Sequence, residues 1–426
     1  MRAIRLMALG LAMAHFSCAD PVGRGGSSVQ DDPPVTGRKI VPHPDGGVYL
    51  GQWELMIGDT AAFEETTGRK TALWAFVETL TDFCLPNEDG QPVFWAQGAQ
   101  IGWDNGRVPY TYAIVADPNP LFQEAGEVPR GFTVDKLLNG DFDNHLHVLA
   151  QQYKEFGKPM FFNTTREPNV ASADYMGGFG PNGDKGIEWA LDVQKGLAEF
   201  NPSSFPNVHL YADLGDPTVS DGAERLVAAQ RYYHDFFVRR EGIDFLSFDT
   251  MEFGAHVSLD DWMEWFGVTP TDPNYELLRT SFSFEFLYAG DEYVDWVSLS
   301  YYIDIDKESQ DATLRHYLDN LAWTMESIRR VAPGKPVLIM EGGFPDGVNP
   351  DSEWAAKKVE AGMNEIINKY PEISAFALWG SGGEMDTLLR PGTKQGDAFK
   401  KIIDDNPDSF RSCVHFSDGT KMPTCR

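Results

Sequence analysis

Two glutamates stand at the ends of apolar runs that are built alike. In Gly157-Lys-Pro-Met-Phe-Phe-Asn-Thr-Thr-Arg-Glu-Pro-Asn169 a short run, Met160 to Phe162, breaks into polar residues and presents Glu167. In Gly334-Lys-Pro-Val-Leu-Ile-Met-Glu-Gly-Gly343 the run from Pro336 to Met340 closes on Glu341. Paired carboxyls of this kind suit cleavage of a glycosidic bond. With retention of configuration, the two groups lie about 5 to 5.5 Å apart, one donating a proton and the other attacking. The donor must keep its proton at working pH while the nucleophile stays ionised. Pro168 restrains Glu167 to extended backbone, and the two glycines after Glu341 would let a sugar approach. One such glutamate alone would more often be an ion-pair partner, of Arg166 for instance. Two at matching strand ends favour chemistry.

Eight apolar runs alternate with helical patterns. The strands are expected at Gly47–Trp53, Thr71–Val77, Val108–Val115, Met160–Phe162, Ile243–Phe248, Val294–Tyr302, Pro336–Met340 and Ile373–Trp379. Continuous apolar runs mark strands covered on both faces. Helical spacing appears at 142–156, closed by Gly157, and again at 223–240, 314–331 and 353–369. A further helix at 186–200 and a strand at 207–212 are expected within a large insertion. Eight strands alternating with helices over some 350 residues predict a single-domain α/β protein with a (β/α)8 TIM barrel. An open doubly wound sheet ranks second, because no GxGxxG follows an early strand. In a barrel the active site sits at the C-terminal strand ends. That places Glu167 and Glu341 on strands four and seven, across one mouth.

Composition narrows the partners. The 426 residues carry 64 acids against 35 bases, a net charge of −29. That argues against nucleic acid and anionic membranes, which need clustered Lys and Arg. Residues 1–19 read as an export signal: Arg2 and Arg5, then a short apolar core, then Ala12-Met-Ala14. The core is too short to span a bilayer. Lipid attachment through Cys18 ranks second to simple secretion. Residues 20–45 read as a linker, 46–405 as the barrel and 406–426 as a C-terminal tail. Cys413 and Cys425 bracket the tail, and a disulfide between them would contribute about 3 kcal/mol outside the cytoplasm. Cys84 is left over. Neither a CxxC pair nor HExxH is present, so no metal site is expected.

Several segments resemble glycoside hydrolase family 26. Leu138-Asn-Gly-Asp-Phe-Asp-Asn144 is similar to that family's lead into a helix, and Tyr153-Lys-Glu-Phe-Gly-Lys-Pro159 to its approach to strand four. Arg166-Glu-Pro-Asn169 stands where the family reads His-Glu-Met-Asn. Ala289-Gly-Asp-Glu-Tyr-Val-Asp-Trp296 resembles its approach to strand six, and Glu341-Gly-Gly343 its nucleophile segment. The resemblance implies Glu167 as acid/base, Glu341 as nucleophile and Tyr302 as the tyrosine that orients the nucleophile. Tyr301 and Tyr302 must face opposite sides of the strand. The departures, Arg166 and Pro168 beside Glu167, Asp174–Gly180 after strand four, and Asp249 after strand five, fall where a sugar would be touched.

Arg166, Asn169, Asp249 and Trp103 are therefore candidate substrate contacts, and Trp379 a candidate sugar platform. Core packing is the bland alternative for the tryptophans. Asp249 and Glu252 are spare carboxylates, and His256 reads as structural. The sequence as a whole predicts a secreted, monomeric, cofactor-free retaining hydrolase of a β-linked polysaccharide; the resemblance implies β-mannan first, with β-glucan or β-xylan as alternatives. A carbohydrate-binding barrel without turnover is the rival of another class.

Overall fold

The computed structural model describes residues 37–44, 46–54, 58–79, 95–114, 137–164, 223–250, 252–266, 269–272, 275, 283–303, 309–346, 349–380, 387–422 and 425. The expected helix at 186–200, the strand at 207–212, Arg166, Glu167, Asn169, Cys18 and Cys84 lie outside them.

The strands are β1 (Val48–Trp53), β2 (Leu73–Thr79), β3 (Val108–Ile114), β4 (Met160–Asn163), β5 (Leu246–Phe248), β6 (Phe253–Gly254), β7 (Val297–Tyr302), β8 (Val337–Gly343), β9 (Ile373–Leu378) and β10 (Phe410–Arg411). The helices are α1 (Asp59–Thr67), α2 (Trp95–Asp104), α3 (Asp143–Phe156), α4 (Ala223–His234), α5 (Leu259–Phe266), α6 (Phe284–Leu287), α7 (Gln310–Val331), α8 (Glu353–Lys369) and α9 (Lys394–Asp405). A π-helical turn at Asp235–Arg240 continues α4.

All pairings between these strands are parallel, in the order β5-β4-β3-β2-β1-β9-β8-β7-β6, with β10 added beside β1. β5 and β6 occupy one barrel position between them: β5 pairs with β4, β6 with β7. A parallel bridge between Asp249 and Trp296 closes the ring, and Thr250 N–H donates to Trp296 O at 2.9 Å. The fold is thus the expected (β/α)8 barrel, with its fifth strand split.

Residue alternation sorts each strand into two layers. Inward-facing Tyr49, Trp53, Leu73, Ala75, Tyr110, Phe161, Trp296, Leu338, Met340 and Ala377 fill the barrel. Outward-facing Leu50, Phe162, Phe248, Leu299, Tyr301, Ile339 and Phe376 meet the helices. The helices follow from caps and stripes. Ser352 Oγ accepts from Ala355 N–H at 2.9 Å, and Ala355, Val359, Met363 and Ile366 repeat at helical spacing on the buried face of α8. Ser309 caps α7 in the same way.

The end of the barrel away from the strand C-termini is plugged. Val414, Phe416 and Met422 join the interior cluster, and Cys413 and Cys425 are disulfide-bonded. Residues 38–44, inside the stretch that composition assigns to a linker, are part of this plug. Val41 is buried, its carbonyl accepts from Trp296 Nε1 at 2.8 Å, and Arg38 pairs with Asp295 at 2.8 Å. Among the described residues no helix is long and apolar enough to cross a membrane.

Candidate active site at the barrel mouth

Glu341 owes its position to an irregularity in β8. Met340 faces the interior, so plain alternation would turn Glu341 out toward the helices. The register against β7 shifts between Leu299 and Ser300, and against β9 between Ile339 and Gly342. This bulge places Glu341 opposite Ser300, on the same side of the sheet as Tyr302, which is the kind of re-aiming that bulges supply. Glu341 is 1% exposed, and its Oε1 accepts from Tyr302 Oη at 2.8 Å. Tyr301 faces away, its hydroxyl donating to Tyr317 O of α7 at 3.3 Å. The strand also runs past Glu341 to Gly343, three residues beyond Met340, the end expected from sequence.

The glycines have a different reason from the one the sequence proposed. A Cβ on Gly342 would lie 2.7 Å from Tyr301 O, and one on Gly343 2.5 Å from Thr387 Cβ. Protein atoms, not a ligand, fill the space where side chains would be.

Trp379 follows β9 and is partly exposed, with its backbone N–H on Gly342 O at 2.9 Å. Its ring meets that of Trp53 at 5.1 Å, and Trp53 Nε1 donates to Met340 O at 2.7 Å. Two tryptophans and Tyr302 therefore surround the strand end that carries Glu341. His256, read from sequence as structural, comes edge-on to Tyr302 with ring centres 5.8 Å apart, and Asn320 of α7 donates to its carbonyl at 3.0 Å. Trp53 was legible by the same strand-end rule that found Trp379. His256 carries no local signal, because its neighbour is 46 positions away along the chain.

Two sequence candidates are placed elsewhere. Trp103, expected to stack on distal sugar, sits near the C-terminus of α2 at the plugged end, stacked on Phe416 at 5.6 Å and edge-on to Phe156 at 6.1 Å. Asp249, expected to touch substrate, has no exposed surface. Its carboxyl lies among Asn163 at the end of β4, Tyr110 of β3 and Ser298 of β7. Burial pushes it well above the usual carboxylate range, and those three polar groups pull back only in part. Burial also raises the Tyr110 hydroxyl, with the charges of Asp249 and Glu252 adding to the effect.

A carboxyl whose folded pKa is raised binds its proton more tightly folded than unfolded. It therefore costs stability above the unfolded value, near 3.9, and the cost grows as pH rises toward the folded value. Asp249→Asn should accordingly raise Tm at pH 7 to 8, and the gain should vanish by about pH 4. Thermal melts of both proteins from pH 4 to 8 check this; a pH-independent difference would contradict the buried acid.

Among the described residues, Cys413, His415 and Cys425 bring ligand atoms within 4.8 Å of one another, but the disulfide between the two sulfurs removes both thiolates.

A parallel (β/α)8 barrel with a tyrosine-held glutamate at the mouth defines the class of fold. No protein-family profile and no curated protein sequence matches the chain. Solved structures do match it in shape. One is a family 26 β-mannanase from Bacteroides ovatus, at 14% identity and TM-score 0.52, over 86% of this chain and 90% of that one. Another is the GH26C protein of Muricauda sp. MAR_2010_75, at 11% identity and TM-score 0.55, over 86% and 87%. A third is the catalytic domain of a family 26 endo-β-1,4-mannanase from Bacillus sp. JAMB-750, at 14% identity and TM-score 0.52, over 86% and 87%. At these identities the likeness is one of fold: the chain has a glycoside hydrolase family 26-like barrel.

Proposed function

We propose that the protein is a secreted retaining glycoside hydrolase acting on a β-linked polysaccharide, β-mannan first. The observation that carries this reading is the buried Glu341 carboxylate at the mouth, fixed by the Tyr302 hydroxyl at 2.8 Å. Glu341 attacks the anomeric carbon as the bond from that carbon to the bridging oxygen breaks. Glu167, four residues beyond the end of β4, gives its proton to the departing oxygen. Water then loses a proton to Glu167 and displaces Glu341 from the anomeric carbon, so configuration is retained after two inversions. Trp379 offers an apolar face to the sugar, and Arg166 and Asn169, flanking Glu167, bind hydroxyls. The substrate preference rests on the activities of the structural neighbours, β-mannanases at 14% identity.

The test is hydrolysis of mannan, β-glucan and xylan by the purified protein. Reducing ends and the anomer first formed would be followed by NMR, with Glu167→Gln beside the wild type. Release of reducing ends with the β-anomer first, and its loss in the variant, is expected. An α-anomer formed first would exclude double displacement. Binding without release from any of the three would favour the non-catalytic barrel.

Tyr302→Phe removes one hydrogen bond to a carboxylate, worth about 1.5–3 kcal/mol. If that bond orients the nucleophile, kcat should fall roughly 10- to 100-fold with KM little changed. Steady-state kinetics on the best substrate reads this directly, and an unchanged kcat would remove Tyr302 from the site.

A further inference from the structure

The segment after Glu341 is gripped from behind at each of three successive residues. Phe344 O accepts a hydrogen bond from Gln395 Nε2 of α9, and Gln395 is 1% exposed. The Phe344 ring lies against Gly362 of α8, where a Cβ would come within 2.4 Å of it. Pro345 O accepts from Lys358 Nζ of α8. The Asp346 carboxylate lies 3.7 Å from the same ammonium and accepts from Ser352 Oγ at 3.3 Å.

Lys358 is 3% exposed, and lysines are almost never buried to that extent without a partner. Desolvating an ammonium costs several kcal/mol, and an apolar side chain would pack on α8 without that cost. Of the groups that offset it, Pro345 O and Asp346 lie on this one segment, and the Trp354 ring of α8 lies 5.7 Å from the same ammonium. Glu341 meanwhile connects to the segment only through Gly342 and Gly343, the residue type with the most backbone freedom to lose. Those glycines are required by the close approach of Tyr301 O and Thr387. β8 pairing holds those glycines beside Tyr301 and Tyr302, and the segment 344–346 is the next fixed point beyond them.

We propose that Lys358, with Gln395 in support, is a positioning residue that fixes the segment 344–346 and through it the Glu341 carboxylate against Tyr302. Lys358 touches no substrate; it acts from the helix layer. The kinetic consequence rests on Glu341 being the nucleophile, whereas the grip on the segment does not.

The experiment is Lys358→Met, which keeps an unbranched stem of similar size and removes the donor. Backbone amide exchange at the N–H groups of 342–344 and 346 should quicken at least about tenfold, with the other strands unchanged. On the substrate found for the wild type, kcat should fall about 10- to 100-fold, as small misplacements of reacting groups do, with KM within about twofold. Both Lys358 and Tyr302 would act on one carboxylate, so Lys358→Met/Tyr302→Phe should lose little more than the worse single variant. Gln395→Leu should show the same pattern more weakly and serves if Lys358→Met does not fold. Unchanged exchange at 342–344 and 346 in whichever variants fold would overturn the proposal. So would losses that multiply in the double variant, or a lowered Tm with kcat intact. If the wild type cleaves no β-glycan, the proposed function fails and exchange alone decides the grip.

Discussion

Glu341→Ala should lower kcat by at least about 10⁴-fold, the scale on which enzymes lose rate when a catalytic nucleophile is removed, and leave the barrel folded. The rate prediction follows from the mechanism, because no other side chain in it forms a bond to the anomeric carbon. The stability prediction follows from burial. A carboxylate with 1% exposure, close to Trp53 and Trp379 through the backbone of Met340 and Gly342, is an expensive group to keep in the folded state. Removing it gives up its contacts, the hydrogen bond from Tyr302 among them, and relieves that cost, so Tm should hold or rise, as it does where function rather than stability has placed a group. The alanine also leaves room beside the anomeric carbon. Added azide, with an activated glycoside as substrate, should restore part of the rate and give a glycosyl azide of inverted configuration, because only one displacement then occurs. Kinetics, a thermal melt and the NMR spectrum of the azide product check the three parts. Activity within tenfold of the wild type would end the assignment of Glu341.

The position of that glutamate shows what a sequence can and cannot carry. Its strand was legible, since Val337 to Met340 is apolar without interruption. Its direction was not, since alternation from Met340 points it outward and only the shifted pairing with Ser300 turns it back. Alternation required only that Tyr301 and Tyr302 diverge; the preference for Tyr302 came from the family resemblance, and Tyr302 is the one whose hydroxyl meets Glu341. Helix α2 carried no clear signal, as Gly98 and Gly102 weaken its helical propensity. Tertiary packing overrides that loss: a Cβ at 102 would lie 2.6 Å from the Trp74 ring, so the glycine lets the helix settle on β2. Gly396 does the same for α9, where a Cβ would come within 2.4 Å of Arg390 O. The depth of Asp249 was hidden by the split of the fifth strand. A carboxylate just after an apolar run reads as a mouth residue, and the structure turns it inward to Tyr110, Asn163 and Ser298. The anchoring of residues 38–44 was hidden too, because a Pro- and Gly-rich stretch gives no periodicity by which to read Val41 and Arg38 as contacts.

On the proposed function the two ends of the barrel divide the work, so a change at the plugged end should alter stability and leave chemistry alone. Cys413→Ser/Cys425→Ser should lower unfolding stability by about 3 kcal/mol, the loop-closure entropy expected for cysteines 12 positions apart. The loop inside the bridge is a small fold of its own: Phe416 N–H donates to Thr420 O at 2.7 Å, Met422 N–H to Val414 O at 3.0 Å, and His415 pairs antiparallel with Lys421. These bonds aim Val414, Phe416 and Met422 into the barrel interior, with Phe416 stacked on Trp103. Without the bridge those apolar contacts must hold the tail unaided, and the chain keeps its entropy when it unfolds. A denaturant titration of the double variant should give a lower midpoint, and reductant should lower the wild-type midpoint to meet it while leaving the variant unmoved. At 25 °C without denaturant, kcat and KM on any substrate should match the wild type, because Glu341, Tyr302 and Trp379 lie at the other end of the strands. A variant with an unchanged midpoint would show that the apolar plug alone closes the barrel. A variant with altered kcat would show that the two ends are coupled.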